Sequence, residues 1–409
     1  MCIHEYDQEY IRTQEYVKKS DLSEKNKQLI FSFVNDLLLE GLSKPRLIKY
    51  YRLLRLIAMG LGKDLDTVTI DELKQYIGNI QQESNYSPWT KRSYKNITRR
   101  FYRWMTKTKE YPSIADWISL HIGRSQKKLP SQSELLTEED IHKLIQMAEH
   151  PRDKAFIFML WESGARIGEL GNLALENIGF DQHGMVLAMQ GKTGSRKIRL
   201  VASTAYASAW VKNHPLKNDP KAPLWINIGS VRHHQSMRYD NMRILLKRLF
   251  EKAGIRKRFN PHIFRHSRAT FMAHHLTEFQ MNHYFGWIQG SDMPSTYVHM
   301  SGRDVDNAIL AMNGVIPHET KKEKHIVPRI CPRCEAINSY DCVTCTKCNA
   351  ILDMTYAIEI QEKQESIVRM REQSDALMNE LLKDPDVQRV ILQKMTQKLA
   401  IVQEKEYEN

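Results

Sequence analysis

Residues 283–304 read HYFGWIQGSDMPSTYVHMSGRD. A short polar segment led by Pro294, Ser295 and Thr296 carries Tyr297, and by itself such a tyrosine is an ordinary residue of a surface helix. Its meaning depends on three stretches upstream: SGARIGEL with Arg166, GKTGSRK with Lys192, and HIFRHS with His262 and Arg265. Together these supply the groups that can surround a phosphate ester. A phenol can attack phosphorus, and guanidiniums match its oxygens with planar, forked donors.

Around them lies one lobe, 136–316. Thr137 followed by Glu138, Glu139 and Asp140 is a helix start, a capping hydroxyl with acids in the first turn. A break at His150-Pro151 leads into DKAFIFMLWESGARIGELGNL: an apolar helix, a glycine turn, and a second start carrying Arg166 with Glu169 one turn on. A local surface ion pair is the plain reading of those two. MVLAMQ (185–190) and RKIRLVAS (196–203) are strand-like runs flanking GKTGS, a hairpin with Lys192 near its tip. The basic stretch YDNMRILLKRLFEKAG (239–254) is helical, and in PHIFRHS the spacing of three puts His262 and Arg265 on one face of a helix start. The helix continuing through RATFMAHHL packs by its apolar residues, so His274 and His275 need no special role.

The 409 residues are too many for one ordinary domain, and a net charge of +12 points to a polyanionic partner. With no apolar run long enough to cross a bilayer and no leader-like start, a cytoplasmic protein without a membrane is expected. The helical region 1–110 carries that charge in two places. One helix has Arg46, Lys49, Arg52 and Arg55 at intervals of three, beside an apolar stripe of Leu47, Tyr51, Leu54 and Ala58. Another has Lys91, Lys95, Arg99 and Arg103 at intervals of four, with Ile97, Phe101 and Trp104 turned to the core. Like charges at that spacing repel one another; a phosphate backbone compensates them, so Lys91, Lys95, Arg99, Arg103, Arg46, Lys49 and Arg52 are candidate DNA contacts. Residues 111–135 read as an exposed linker between two lobes.

Taken together and in this order, the segments from about 20 to 315 resemble the tyrosine recombinase/integrase family. SGARIGEL matches the first arginine box, GKTGSRKIRL the hairpin lysine, HIFRHSRAT the HxxR box, and GWIQGSDMPSTYVH the His/Trp position and nucleophile. The ending YVHMSGRDVDNAIL before a Cys-rich module looks like archaeal members. The resemblance implies a mainly α chain with a small β-sheet: a helical, SAM-like core-binding lobe and a mixed α/β catalytic lobe. It implies strand exchange through a 3′-phosphotyrosyl link with neither metal nor ATP in the chemistry. Tyr297 would attack, and Arg166 and Arg265 would clamp the phosphoryl oxygens. Lys192 would protonate the departing 5′-oxygen, with Lys197 as substitute, and His262 would manage the tyrosine proton or bond the phosphate. Glu169 would orient His262 or Arg166. Trp287 stands where the family often has His; its indole N–H donates a hydrogen bond but transfers no proton. His266 and His299 are read as structural or supporting. The expected partners are double-stranded DNA, a homo-tetramer on paired sites, and an accessory DNA-bending or directionality protein. The preferred role is integration or excision of a mobile element; alternatives are a Xer-like dimer resolvase, a type IB topoisomerase-like enzyme and a non-catalytic DNA-binding regulator.

Beyond a charged linker, residues 317–352 contain CPRC (331–334) and CVTCTKC (342–348). Paired CxxC spacing in a small basic module fits a structural Zn²⁺ ribbon, with Cys331, Cys334, Cys345 and Cys348 as ligands, or with Cys342 and Cys345 as the second pair. The tail 353–409 reads as helices broken near Asp384-Pro385, with 12 acids against 8 bases. That balance makes it a poor phosphate binder; it docks either on a neighbouring protomer or back on its own chain.

Overall fold

The computed structural model describes residues 3–123, 129–191, 194–230, 232–301, 312–313 and 327–395. Its first lobe is five helices: α1 (Tyr6–Lys18), α2 (Glu24–Leu39), α3 (Lys44–Leu61), α4 (Ile70–Gln82) and α5 (Pro88–Met105). Their starts are written in the chain. The Ser23 and Ser87 hydroxyls accept the amides of Asn26 and Thr90, and Thr69 and Glu72 form a reciprocal capping box. The stripe of Leu47, Tyr51, Leu54 and Ala58 packs against Ile30, Phe33, Ile97 and Phe101. Trp104 sits at the edge of this core, its indole N–H donating to Asp36 at 2.6 Å. Ala115 and Ile118 belong to the same core. The expected linker of 111–135 is therefore anchored to the first lobe at its start, because these side chains find apolar contacts there.

The second lobe comprises α6 (Glu138–Met147), α7 (Pro151–Ser163), α8 (Ile167–Gly171), a three-stranded sheet, α9 (Thr204–Lys212), α10 (Tyr239–Lys252), α11 (Pro261–Met272), α12 (Glu278–Phe285) and α13 (Met293–Ser301). Helix α7 is buried on every face, as its unbroken run AFIFMLW requires. The sheet runs β1 (Ile178–Asp181), β2 (Gly184–Gly191), β3 (Gly194–Leu200), antiparallel throughout. Strand β3 stops short of 203 because the amides of Val201, Ala202 and Ser203 turn to the buried Glu162 carboxylate, at 2.7, 2.9 and 2.7 Å. Three charge-assisted bonds satisfy that carboxylate and pin α7 to the end of the strand.

The chain's first described residues do not stay with the first lobe. Ile3 is buried in the core of the second, beside Gly171 and Met242, with its amide donating to Asn172 at 2.8 Å and its carbonyl accepting from Tyr239 at 3.1 Å. Glu5 pairs with Arg238. The helical region expected to begin at residue 1 thus begins after a short anchor on the other lobe, because an isoleucine gains most where its surface is fully covered.

After residue 327 come a two-stranded ribbon, β4 (Arg329–Ile330) and β5 (Ile337–Asn338), and the long helix α14 (Met354–Leu381). The ribbon rests on the second lobe: Tyr340 meets His142 and the Phe158 ring, and Tyr206 donates to Asp341 at 2.8 Å. From Glu365 to Leu381 every residue of α14 is exposed. The expected helical tail beyond residue 395 lies outside the described residues.

Truncating the anchor, Ile3→Ala, is expected to cost about 2 kcal/mol. It should lower the denaturant midpoint of the second lobe and speed amide exchange in α8 and α10. An unchanged midpoint would mean that residue 3 does not hold this position in solution.

Candidate active site

A glycine turn after α7 and a capped start of α11 help bring the sequence boxes to one place. Gly164 ends α7 at φ +53°, and a Cβ there would come within 2.6 Å of the Phe285 ring, so both the turn and the packing require glycine. The turn delivers Arg166 to the start of α8. Asn260 caps α11 by accepting the Ile263 amide at 3.0 Å, with Pro261 in the first turn, and this sets His262, Arg265 and His266 on the helix's opening turns. The Arg265 guanidinium donates to the carbonyls of Gly164 at 2.9 Å and Phe285 at 2.7 Å. It also lies over the Trp287 ring, 5.4 Å from its centre. Trp287 in turn stacks on Tyr297, centroids 5.4 Å apart and planes 5° from parallel. Tyr297 is 1% exposed, and its hydroxyl meets His266 Nδ1 at 2.8 Å.

Charge is unevenly matched here. Glu169 accepts from Arg166 at 2.9 Å through one carboxylate oxygen and from Arg196 at 2.7 Å through the other, and also takes the Arg166 amide at 3.0 Å. Burial alone would raise its pKa; the bonds and charges of Arg196, with Arg166, outweigh burial and hold it below the usual carboxylate value. Among the described residues Arg265 has no carboxylate of its own. Burial, with Arg166 and Arg196 nearby, brings its pKa down to about 10. Burial and then Arg265 and Arg166 lower His262, and burial and then His262, Arg265 and Arg258 lower His266. Burial lifts the Tyr297 phenol to about 12, with Arg265 pulling the other way. Among the described residues, three arginines thus stand against a single carboxylate that pairs with two of them. Arg166 keeps a third of its side chain open, at 33% exposure, and Arg196 Nη1 is buried without a partner.

Arg166, Glu169, His262, Arg265, Trp287 and Tyr297 are accordingly assembled around one pocket. Lys192 lies outside the described residues. Its neighbour Gly191 lies against Glu169: a Cβ there would fall 2.3 Å from Oε1, so only glycine allows the strand end to approach. Lys197 faces solvent on β3, opposite in the alternation to Arg196, which removes it as the substitute. Glu169 holds Arg166 rather than His262. Arg196 was not singled out by the sequence reading, although the alternation of Arg196, Ile198 and Leu200 puts it on the inward face of the strand. His266 was set aside, yet it lies four residues from His262 on the same helix face.

The basic face of the first lobe is partly committed. Arg52 pairs with Glu9 at 2.7 Å, so it braces α1 on α3 and is withdrawn from the candidate contacts. Arg99 and Arg103 lie over the Tyr111 ring at 3.8 and 4.9 Å, and Lys91 donates to the Gln81 carbonyl at 2.6 Å. Stacking leaves guanidinium edges free for phosphate. Arg46 and Lys49 line a groove of about 270 Å³ with Trp89 and Arg92 of α5.

Residues 134–303 match the model of the phage integrase family. Over 249 residues the chain is 28% identical to tyrosine recombinase XerD of Ralstonia nicotianae, covering 58% of this chain and 77% of that one. Residues 134–303 thus carry a domain of the phage integrase family. XerC of Oceanobacillus iheyensis is 25% identical over 266 residues, 61% of this chain and 83% of its own, and XerA of Pyrococcus furiosus is 30% identical over 148 residues, 36% and 49%. Among solved structures, XerH bound to a palindromic difH substrate matches with a TM-score of 0.53 at 17% identity, over 75% of this chain and 95% of that one. The Tn1549 transposon integrase in complex with transposon end DNA matches at 0.52 and 16%, over 70% and 99%. These two likenesses carry the fold. The family's enzymes cleave and rejoin DNA.

A second cluster lies in the ribbon. The sulfurs of Cys331, Cys334, Cys345 and Cys348 all lie within 4.8 Å of one another. A tetrahedral thiolate site needs sulfurs about 3.8 Å apart, and two of the pairs stand at 3.6 Å. Both CxxC turns have the same shape: the residue after the second cysteine, Glu335 or Asn349, takes positive φ and donates its amide to the first cysteine's carbonyl at 2.9 Å. Asn338 Nδ2 and the Lys347 amide point at Cys345 Sγ, donors suited to a thiolate. Cys342 instead turns to the Thr344 carbonyl, which decides between the two pairings. The cluster can hold a metal ion.

Replacing Arg196 by Met removes one of two cations from a buried carboxylate, a change worth about 3–5 kcal/mol. Glu169's pKa is lowered in the fold, so its contribution to stability is present above the usual carboxylate range and is lost as pH falls through the lowered value. In Arg196→Met that loss should begin at higher pH, read from unfolding midpoints across the acidic range. An identical acid profile in parent and variant would show that Arg196 does not govern this carboxylate.

Proposed function

We propose that this chain is a site-specific recombinase in which Tyr297 attacks a DNA phosphodiester, holds the 3′-phosphate as a tyrosyl ester, and releases a 5′-hydroxyl that later reverses the step. The observation that carries this reading is the arginine excess at Arg166, Arg196 and Arg265, set against one carboxylate beside a buried phenol. Unbalanced cations in a low-dielectric pocket stabilise an arriving phosphate and, more strongly, the charge that grows on its oxygens in the transition state. Arg166 and Arg265 clamp those oxygens, and Lys192, next to Gly191 in the sequence, protonates the 5′-oxygen. The groove with Arg46, Lys49 and Arg92, and the edges of Arg99 and Arg103, meet the backbone of the duplex. Recombination in a tetramer on paired sites is the assembly proposed; a tyrosyl ester keeps the bond energy until a 5′-hydroxyl from either site takes it. The solved neighbour acting on a transposon end favours a mobile-element integrase; the names of the Xer relatives favour a dimer resolvase.

The four-cysteine site is proposed to bind one Zn²⁺ that holds the ribbon together and takes no part in cleavage, since four thiolates leave no open position. One zinc per chain is expected by elemental analysis. Cys345→Ser should lose the metal and the exchange protection of 327–352 while still forming the DNA adduct. Retention of both metal and protection would count against a four-cysteine site.

The decisive test uses nicked suicide duplexes, selected from a random-sequence pool for binding to the protein, without metal or ATP. The parent should form a denaturation-resistant protein–DNA adduct, and Tyr297→Phe should bind the same duplexes and form none. An adduct in the variant would mean a different nucleophile. Tight binding with no adduct from the parent would identify a regulator that does not cleave.

A further inference from the structure

We infer that His266, rather than His262 of the HxxR box, accepts the proton of Tyr297 as the phenol attacks phosphorus. The inference rests on the recombinase reading above and adds a catalytic residue to it. His266 Nδ1 stands 2.8 Å from the Tyr297 hydroxyl, within the reach a general base needs. The phenol is 1% exposed, so bulk water does not reach it and its proton requires an acceptor inside the protein. Burial, then the neighbouring His262 ring and the Arg265 and Arg258 guanidiniums, disfavour the imidazolium and leave the ring able to accept. His262 has a different outlook: its charge neighbours are Arg265 and Arg166, the arginines assigned to the phosphate. The two histidines, one turn apart on α11, therefore divide the work. His262 faces the phosphoryl group, and His266 faces the nucleophile carried on α13.

The step balances as follows. The Tyr297 Oη–P bond forms and the P–O5′ bond breaks. The Oη proton passes to His266 Nδ1, which requires the tautomer protonated at Nε2. The departing O5′ takes a proton from a separate acid, for which Lys192 is the candidate. In rejoining, the 5′-hydroxyl gives its proton back to that acid as O5′ attacks phosphorus, the Oη–P bond breaks, and His266 returns its proton to the phenolate. The imidazolium formed in the forward step joins an already cationic pocket, and the phosphate brought by the DNA supplies the compensating charge.

The test compares parent, His266→Gln, His266→Ala, His262→Gln and Lys192→Ala on the selected suicide duplexes in two forms. One form is ordinary; in the other, sulfur replaces the bridging 5′-oxygen of the scissile phosphate. A thiolate leaves without a proton, so sulfur relieves only the need for the acid. Both His266 variants should bind DNA like the parent and form adduct about 100-fold more slowly on both substrates. Their deficit should shrink as pH rises towards ionisation of the phenol, and Lys192→Ala should recover on the sulfur substrate. His266→Gln, which keeps a hydrogen-bond acceptor of similar size, separates a proton acceptor from a packing role. Cleavage by that variant at the parent's rate would overturn the inference. So would recovery of the His266 variants on the sulfur substrate, or a pH-dependent deficit found in His262→Gln instead. A parent that forms no adduct on either substrate would refute the recombinase reading itself, and this inference with it.

Discussion

Glu169 is the carboxylate on which the arrangement of the site depends. It is buried, it binds Arg166 from its own helix and Arg196 from the neighbouring strand, and Gly191 is glycine so that the strand can reach it. Two cations on one anion leave Arg265 to be held by other means. Backbone carbonyls provide them: Gly164 and Phe285 take its N–H groups, and Tyr284 takes the Nε of Arg196 at 3.0 Å. Carbonyl dipoles fix the guanidiniums in place without cancelling their charge. The pocket is therefore rigid and still electrostatically incomplete, the condition under which preorganised donors do most for a charged transition state.

The same contacts explain why four short sequence boxes spread over more than a hundred residues act as one unit. Arg196 touches the arginine box through Glu169 and the end of α12, ahead of the Trp287 loop, through Tyr284. Arg265 touches the Gly164 turn and the same helix end. Tyr297 is stacked under Trp287 and bonded to His266, so the nucleophile is positioned by both the loop and the HxxR helix. Trp287 serves as a surface for stacking and cation–π contact. That explains how a residue unable to transfer a proton can occupy a position where the family often has histidine.

Much of this was legible in the sequence because it rests on local rules. Helix starts at Thr69, Ser87, Thr137 and Asn260 follow from side chains that cap amides, and the hairpin follows from alternating runs around a glycine-rich turn. What escaped depended on contacts between distant segments. Arg196 looks like one more charge in SRKIRL until the inward face of the strand is known. His266 looks like a bystander to His262 until α13 is laid against α11. The roles expected for Arg52, Arg99 and Arg103 came from spacing alone, and spacing does not reveal the carboxylate or ring that another segment brings to them. Ile3 gave no local signal at all: one aliphatic side chain near the start of a chain shows its value only when the cavity that receives it has been formed by Gly171 and Met242.

The exit of α14 from the ribbon has a mechanical consequence. Asp353 caps the helix by accepting the Tyr356 amide, and the same carboxylate binds Arg329, whose guanidinium also holds the carbonyls of Cys342 and Leu352. One arginine of the four-cysteine module thus sets the direction of a 28-residue rod. At 1.5 Å per residue the rod is about 42 Å long, and a tilt of roughly 10° at its base swings the far end by roughly 7 Å. The ribbon is the pivot of a lever: small adjustments around four sulfurs become large displacements of the helix's exposed far end.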